Sequence, residues 1–293
     1  MILDKIITLA NRNVRIKFNA MERSLRAVGC NLPIWVIPYD ENKFDLPKNS
    51  IWWEIPEIIQ YVGEMRCKPV MRKYQCLLTQ NYHFVDSDVV FLRNPEKVLK
   101  DLDGFVTSCC HWHDSEHTTT IESILFFISQ TTTWQMNTFN TGQFACSEAL
   151  YTFDNFKATA EKSQFCNTVL SKTIHEQPGI NLLVNYSGIN ISNLTLPPLK
   201  MESTWAGDYN DDNYEGYWKN EDRKPYLLHW AGCDLNSVRP IDKIFLQYLN
   251  KNERLEWDRN NCKSKQKYGL WKRRLGLIYN STKESIIKIC REW

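Results

Sequence analysis

The chain has 293 residues, with 36 lysines and arginines against 34 aspartates and glutamates, and a formal net charge of +2. This length suits one α/β domain with additions, or two small domains. The balanced charge argues against a dedicated nucleic-acid-binding protein, which would carry a strong basic excess. Neither the apolar stretch of a signal peptide nor a run of about 18 apolar residues is visible, so we expect a cytoplasmic protein without a membrane-spanning helix.

The first forty residues have the pattern of a β-α-β unit. Residues 6–10 and 33–38 are apolar runs typical of buried strands, and residues 14–28 carry apolar side chains near the helical period. Two strands joined by a helix form a right-handed parallel crossover. The end of the first strand and the loop after it are the usual ligand crevice of such sheets. Thr8, Ala10 and Asn11 lie there.

The later elements predict one α/β domain over residues 1–240 and a basic, helical C-terminal extension over residues 241–293. Further strands are expected at residues 82–91, 104–110, 139–146 and 226–232. Helices are expected at residues 68–79, 95–101, 147–163, 176–184, 241–257 and 271–293, and residues 111–135 look the least regular.

Asp86-Ser87-Asp88 lies between two short apolar strands. In an extended chain, alternation places Asp86 and Asp88 on one side and Ser87 on the other. Two carboxylates beside apolar strands need a cation or hydrogen bonds to offset their burial, and hard divalent ions prefer oxygen ligands. The alternative is an ordinary turn, where aspartate is common.

The order of four motifs resembles a known enzyme family. They are residues 85–90, Phe139-Asn140-Thr141-Gly142, Glu176-Gln177-Pro178-Gly179-Ile180-Asn181 and His229-Trp230-Ala231-Gly232. Over about residues 6–232 the chain resembles nucleotide-sugar glycosyltransferases of the GT-A fold, especially the retaining, family-eight-like enzymes and related nucleotide-diphospho-sugar transferases. The resemblance implies a Rossmann-like α/β fold with a mixed, mainly parallel sheet flanked by helices.

The resemblance also implies a metal site and a donor site. Asp86, Asp88 and His229 match the metal ligands, and the ion is Mn²⁺ or Mg²⁺; mixed nitrogen and oxygen ligation suits Mn²⁺ better. Ser87 and Gly232 are expected to contact the donor's phosphates beside these ligands, with glycine allowing the backbone to approach a phosphate.

The remaining donor contacts follow from the same resemblance, with a UDP-sugar as the default donor. Thr8, Ala10 and Asn11 are expected at the base and ribose, with Asp40 as a weaker candidate. Arg72 or its neighbour Lys73 is expected to reach the donor, as arginine can clamp a diphosphate bidentately. The alternative for both is a solvated helix face.

Asn140, Glu176 and Gln177 are implied catalytic residues on the sugar side of the site. The Asn140 amide can both donate to and accept from sugar hydroxyls. Glu176 replaces the aspartate of relatives and Pro178 replaces a frequent further acid, which leaves the donor sugar open. Pro178 is also natural at a helix start.

The implied activity is transfer of a hexosyl group to a glycan, glycolipid or other acceptor. Retention is expected because no carboxylate is clearly positioned as the general base that inversion needs. A basic, amphipathic C-terminal helix is compatible with peripheral contact to an anionic membrane, or with packing on the domain. The alternatives are a non-catalytic GT-A-fold binding protein and a nucleotidyltransferase; the latter requires a glycine-rich loop where the chain has Asn11-Arg12-Asn13.

A histidine cluster between residues 111 and 117 has three interpretations. His111, His113 and His117, with Asp114 and Glu116, can form a second transition-metal site. They can instead line an acceptor cleft, with Trp112 and Trp134 as sugar platforms. The third interpretation is an ordinary polar loop.

Overall fold

A computed structural model describes residues 1–114, 118–209, 214–233, 235 and 239–267. Met1–Tyr248 forms one compact unit, and a second unit begins at Leu249. The described strands of the first unit form a seven-stranded sheet and a separate two-stranded sheet. The prediction of a mixed α/β fold with flanking helices is confirmed, whereas the proposed boundary at residue 240 stays a prediction.

The large sheet is mainly parallel. The strands of the described chain are β1 (Lys5–Ala10), β2 (Ile34–Pro38), β3 (Ser50–Trp52), β4 (Tyr82–Val85), β5 (Val89–Phe91), β6 (Phe105–Thr107), β7 (Gln143–Cys146), β8 (Ile191–Asn193) and β9 (Leu227–His229). The sheet order is β3-β2-β1-β4-β7-β6-β8, and only β7 within it runs antiparallel to its neighbours. The small sheet pairs β5 with β9.

The helices lie between these strands in the chain. Those of the first unit are α1 (Arg15–Ala27), α2 (Pro56–Glu64), α3 (Pro95–Leu99), α4 (Ile121–Gln130), α5 (Phe153–Ala160), α6 (Cys166–Val169), α7 (Gln177–Ser187), α8 (Tyr214–Tyr217) and α9 (Asp242–Leu246). The second unit contains α10 (Lys251–Lys267). Among the helices described, a membrane-crossing length of apolar residues is not found.

Both faces of the large sheet are covered because its strands are apolar on both sides. Ile6 and Ile7 are neighbours on β1 but belong to different cores. Ile6 shares its core with Phe18 of α1, and Ile7 shares the other core with Tyr74. Successive side chains of a strand point to opposite faces, so a continuous apolar run is required here.

Three predicted segments differ from the structure, and side-chain caps set the start of the observed helix in two of them. The helix expected at residues 68–79 is a 3-10 helix, Pro69–Leu78. The region expected to be irregular contains α4, which begins with a capping box between Thr120 and Ser123. The helix expected at residues 147–163 is only α5, which begins after the cap Thr152.

The helix expected at residues 241–257 is also interrupted. The first helix, α9, ends at Leu246, and α10 begins at Lys251. Asn250 and Glu253 exchange backbone-to-side-chain hydrogen bonds of 2.9 Å, which is the reciprocal pattern of a capping box. The helix predicted at residues 271–293 lies outside the described residues.

Candidate functional site

Asp86 and Asp88 lie in the turn that connects the two sheets. Asp86 follows β4 of the large sheet, and Asp88 precedes β5 of the small sheet. The Asp86 amide donates a 2.7 Å hydrogen bond to the carbonyl of Gly142. The expectation that strand alternation aligns the two carboxylates is wrong, because a turn that changes sheets brings them together instead.

His229 completes a three-residue cluster with these carboxylates. The β5–β9 pairing places it opposite Val89. His229 Nε2 lies 3.6 Å from Asp86 Oδ2 and 3.2 Å from Asp88 Oδ1. The candidate ligand atoms of all three residues lie within 4.8 Å of one another.

This cluster can hold a metal ion. Bonds of about 2.1 Å place neighbouring ligands of an octahedral ion about 3 Å apart, close to the two distances from the imidazole. Two carboxylate oxygens and one imidazole nitrogen form a mixed donor set that suits ions such as Mn²⁺.

Gly142 makes room for the His229 ring. A Cβ atom at residue 142 would lie 1.9 Å from His229 Cε1. The Gly142 amide donates a 2.8 Å hydrogen bond to Asn140 Oδ1, so Asn140 fixes the backbone at this approach. The glycine of the Asn-Thr-Gly motif is therefore required by the imidazole that stands against it.

Lys73 is the basic residue that the structure brings to the carboxylates. Its buried ammonium donates to Asp86 Oδ1 at 3.2 Å, Glu176 Oε1 at 2.5 Å and the carbonyl of Thr141 at 3.2 Å. Burial alone would lower the pKa of Lys73, but the attraction of Asp86 and Glu176 outweighs burial and raises the pKa above its ordinary value. The ammonium therefore stays charged. Arg72, the residue predicted to reach the donor, donates to the carbonyl of Pro38 at the end of β2, and its contact with a donor stays a prediction.

Thr141 joins the two predicted sugar-side segments. Its hydroxyl donates to Glu176 Oε1 at 3.1 Å, and its amide donates to Gln177 Oε1 at 3.2 Å. Burial would raise the pKa of Glu176, but contact with Lys73 lowers it below its usual value. The structure therefore brings Glu176 and Gln177 together at Thr141, the neighbour of Asn140 in the chain, and Lys73 links Glu176 to Asp86.

Lys17 contacts Asp88 from the first turn of α1. Its ammonium lies 3.0 Å from Asp88 Oδ2. Burial would raise the pKa of Asp88, but His229 and Lys17 lower it well below its usual value. No sequence pattern predicts the contact of Lys17 with Asp88, because only the packing of α1 against β5 brings together two residues that are 71 positions apart.

Asp86 differs from Asp88 in its pKa direction. Burial raises the pKa of Asp86, although Lys73 and His229 oppose that effect. The two carboxylates of the cluster therefore lie in different electrostatic environments.

A buried polar network connects the strands that carry the cluster. The Tyr226 hydroxyl lies 3.1 Å from His83 Nε2 and donates to Gln143 Oε1 at 3.0 Å. Burial lowers the pKa of His83 to about 3, so this histidine is neutral. His83 precedes Asp86 by three residues, and Tyr226 precedes His229 by three. The network therefore ties β4, β7 and the entry to β9 together, and no pattern in the sequence predicted it.

The predicted nucleotide crevice lies at the ends of β1 and β2. Thr8 and Ala10 are fully buried, and the Thr8 hydroxyl has no hydrogen-bond partner within the described ranges. The Asn11 amide donates to Asp40 Oδ2 at 2.8 Å, and its oxygen accepts from the Asn13 amide at 3.0 Å. Asn11 and Asp40 therefore supply the polar side chains at this end of the sheet.

Ser87 and Gly232 flank the metal ligands along the chain. Ser87 is buried between the two aspartates. Gly232 follows β9 with φ +65°, in the left-handed region that favours glycine. In the described part of the chain, nothing apart from the adjoining residues lies within 4 Å of the place where a Cβ of residue 232 would be, so the turn conformation, and not crowding, calls for this glycine.

In the segment of residues 111–117, His111 pairs with a carboxylate, and the described residues of the segment form no metal cluster. His111 Nε2 lies 3.0 Å from Asp208 Oδ2. In the portions of the chain that the structure describes, the grouping with metal-ligand spacing is Asp86, Asp88 and His229; Glu116 and His117 lie outside them. The expectation of Trp134 as a sugar platform is wrong, because its ring stacks on Phe127 in the core at 5.6 Å. Trp112 is partly exposed.

No protein-family model and no curated protein matches the chain. Solved structures of glycosyltransferases are similar to it. The bifunctional glycosyltransferase WbbM in its apo form has 16% identity and a TM-score of 0.56, over 87% of this chain and 51% of WbbM. The galactosyltransferase LgtC, in complex with donor and acceptor sugar analogues, has 11% identity and a TM-score of 0.49, over 83% and 94% of the two chains. The apo form of GlyE from Streptococcus pneumoniae TIGR4 has 12% identity and a TM-score of 0.46, over 89% of this chain and 64% of GlyE.

The likeness to WbbM establishes the fold. The chain spans about half the length of WbbM. The resemblance to glycosyltransferases that the motif order predicted is thus confirmed at the level of fold.

Proposed function

We propose that the protein is a metal-dependent glycosyltransferase that transfers a hexosyl group from a nucleoside-diphospho-sugar, with a UDP-sugar as the default donor. The observation that carries this proposal is the cluster of Asp86, Asp88 and His229, to which the turn between β4 and β5 contributes both carboxylates and β9 contributes the imidazole. A Cβ at residue 142 would collide with His229, so the glycine there supports a site built around that imidazole. A divalent cation bound there supplies positive charge to stabilise the leaving diphosphate.

The other residues of the site bind the donor sugar or pair with the charged groups beside it. Lys73 neutralises Asp86 and Glu176 from inside the protein. Asn140 is partly exposed and offers its amide to sugar hydroxyls. Glu176 and Gln177 accept hydrogen bonds from Thr141, the residue that follows Asn140.

Retention of configuration is the stereochemistry that we propose. Asp86, Asp88 and Glu176 each contact a lysine or His229, so each is engaged in an ion pair instead of being poised as a general base. The retaining enzymes that the sequence resembles use the leaving phosphate to accept the proton of the incoming hydroxyl.

The proposed acceptor is a glycan or a lipid-linked molecule on the cytoplasmic side of a membrane. The basic residues from Lys263 onward support peripheral contact with an anionic surface. The LgtC structure named above contains donor and acceptor sugar analogues, which are the ligand classes proposed here.

A donor screen with Mn²⁺ tests this function. Purified protein is incubated with UDP-, GDP- and other nucleoside-diphospho-sugars, and release of the nucleoside diphosphate is measured with and without EDTA. We expect metal-dependent release with at least one donor, and loss of that release in Asp88→Ala because one ligand of the cation is missing. Activity that survives Asp88→Ala would refute the metal assignment. No metal-dependent release with any donor would favour the non-catalytic binding protein.

A further inference from the structure

Lys17 is more exposed than Lys73, and both lysines contact the cluster. The Lys17 ammonium contacts Asp88 Oδ2 at 3.0 Å, while the other oxygen of Asp88 lies 3.2 Å from His229 Nε2. The Lys17 side chain is 31% exposed. A lysine side chain is flexible, and among the described residues Lys17 forms one ion pair, so it can leave the carboxylate without disrupting the core.

The two other candidate basic residues are engaged by other acceptors. Lys73 is 2% exposed and has three acceptors around its ammonium. Arg72 donates to the carbonyl of Pro38. Of the three, Lys17 is the one with both an exposed side chain and a contact to a proposed metal ligand.

A cation bound by Asp88 changes the surroundings of Lys17. The ammonium already lies at hydrogen-bond distance from the carboxylate that the ion requires, so the two positive charges repel each other. Phosphate oxygens beside the same cation attract the ammonium. Lys17 also lies in the first turn of α1, where the amide groups and the helix dipole favour a nearby anion.

We propose that Lys17 is a ligand of the donor's diphosphate and exchanges between Asp88 and the phosphate oxygens. The exchange couples the two ligands, because Lys17 opposes the cation when the diphosphate is absent and binds the diphosphate when it is present. The cation and the diphosphate then bind more tightly together than either binds alone, and the coupling is reciprocal. This inference rests on the proposed function, since the diphosphate belongs to the proposed donor.

The test compares Lys17→Met with the wild-type full chain in two binding measurements. Titration of Mn²⁺ alone, followed by its electron paramagnetic resonance signal, should give about tenfold tighter binding in Lys17→Met, because the competing charge is gone. Calorimetry of UDP and of inorganic pyrophosphate at saturating Mn²⁺ should give about tenfold weaker binding in the same variant. Both affinity changes have the size expected for one charge-assisted contact.

Two further variants separate charge from packing. Lys17→Arg keeps the positive charge and should retain most of the coupling between Mn²⁺ and diphosphate. Lys97→Met removes an exposed lysine from α3 and should bind both probes as the wild type does. Thermal melting of every variant verifies that it is folded.

The outcomes distinguish this inference from the proposed function. Lys17→Met that binds Mn²⁺ and both diphosphate probes like the wild type overturns the role of Lys17, even if the donor screen shows activity. Lys17→Met that loses affinity for Mn²⁺ and diphosphate together also overturns it, because that result indicates a structural role. A silent donor screen from wild-type protein that still binds Mn²⁺ counts against the proposed function itself.

Discussion

The two aspartates of the cluster contact two lysines that differ in burial. Lys73 is enclosed, and its ammonium bridges Asp86, Glu176 and the backbone of Thr141. Lys17 is 31% exposed, and among the carboxylates of the described residues it pairs with Asp88. The same pair of functional groups therefore forms a permanent structural ion pair on one side of the cluster and an exchangeable contact on the other.

This difference in burial determines what each pair contributes. A buried pair costs desolvation that only good geometry offsets, and removing one partner leaves an uncompensated charge inside the protein. A partly exposed pair such as Lys17 and Asp88 is weakened by water and salt, and contributes less to folding. We therefore assign Lys73 to the stability of the site and Lys17 to ligand binding.

The largest expected effect comes from Lys73→Met. Methionine fills a similar volume but leaves Glu176 and Asp86 without their cation, so the free energy of unfolding should fall by about 3–5 kcal/mol. Lys17→Met should change it by less than about 1 kcal/mol. Urea denaturation of both variants, each compared with the wild type, measures the contrast.

A double variant serves as the control for this contrast. Glu176→Gln added to Lys73→Met removes the unpaired buried charge and should recover part of the lost stability. Equal losses for Lys73→Met and Lys17→Met would contradict the distinction between the two sides of the cluster.

A smaller effect is expected from Gly142→Ala, which disturbs the imidazole that both sides share. The new Cβ would lie 1.9 Å from His229 Cε1, so the ring or the backbone must move. We expect a loss of about 1–3 kcal/mol in unfolding free energy and a Mn²⁺ affinity at least about tenfold weaker. Urea denaturation and Mn²⁺ titration measure the two quantities.

Gly63→Ala is the matched control. Gly63 lies in α2, and a Cβ there would meet no atom within 4 Å. Alanine should stabilise that helix by about 0.5–1 kcal/mol and leave Mn²⁺ affinity unchanged. Normal Mn²⁺ binding by Gly142→Ala would show that the approach of His229 to residue 142 does not shape the site.

The smallest effect is expected in the pH dependence of stability, measured in EDTA. The pKa values of Glu176 and Asp88 are lowered by folding, from ordinary values of 4.5 and 3.8. The unfolded chain therefore binds more protons at acid pH, and stability is lost as the pH falls below about 4.5. The pKa of Lys73 is raised by folding, so its contribution is complete below its ordinary value of 10.5 and is lost as the pH rises beyond it.

Variants of the acids test that assignment. Glu176→Gln and Asp88→Asn should each flatten the decline in unfolding free energy between pH 5 and pH 2 (urea titrations at about half-unit steps). If the unfolding free energy of both variants declines between pH 5 and pH 2 as steeply as that of the wild type, other carboxylates cause the decline.

Local sequence patterns were sufficient to predict the framework of the domain. The apolar runs of residues 6–10 and 33–38 predicted β1 and β2, and the periodicity of residues 14–28 predicted α1 to within one residue at each end. These predictions succeed because strands that are buried on both faces must be apolar throughout, and because an amphipathic helix repeats every 3.6 residues. They failed where capping dominated, as at α4 and at the break before α10.

The site was only partly predictable, because some of its contacts form between side chains that are distant in the sequence. The order of the motifs was enough to nominate Asp86, Asp88 and His229, and the structure brings their ligand atoms together. Three other features depend on which side chains meet after packing. They are the need for glycine at residue 142, the approach of Lys73 instead of Arg72 to the carboxylates, and the contact of Lys17 with Asp88.

By itself, the sequence determined the mainly parallel α/β class and the nature of the ligand groups, because apolar periodicity and residue chemistry are local properties. Only the tertiary structure decided which lysine is enclosed and which is exposed. Burial, and with it the strength of an ion pair and the direction of a pKa shift, arises from contacts between residues that are distant in the chain. The two sides of the Asp86–Asp88 pair therefore have the same chemistry in sequence and different surroundings in space.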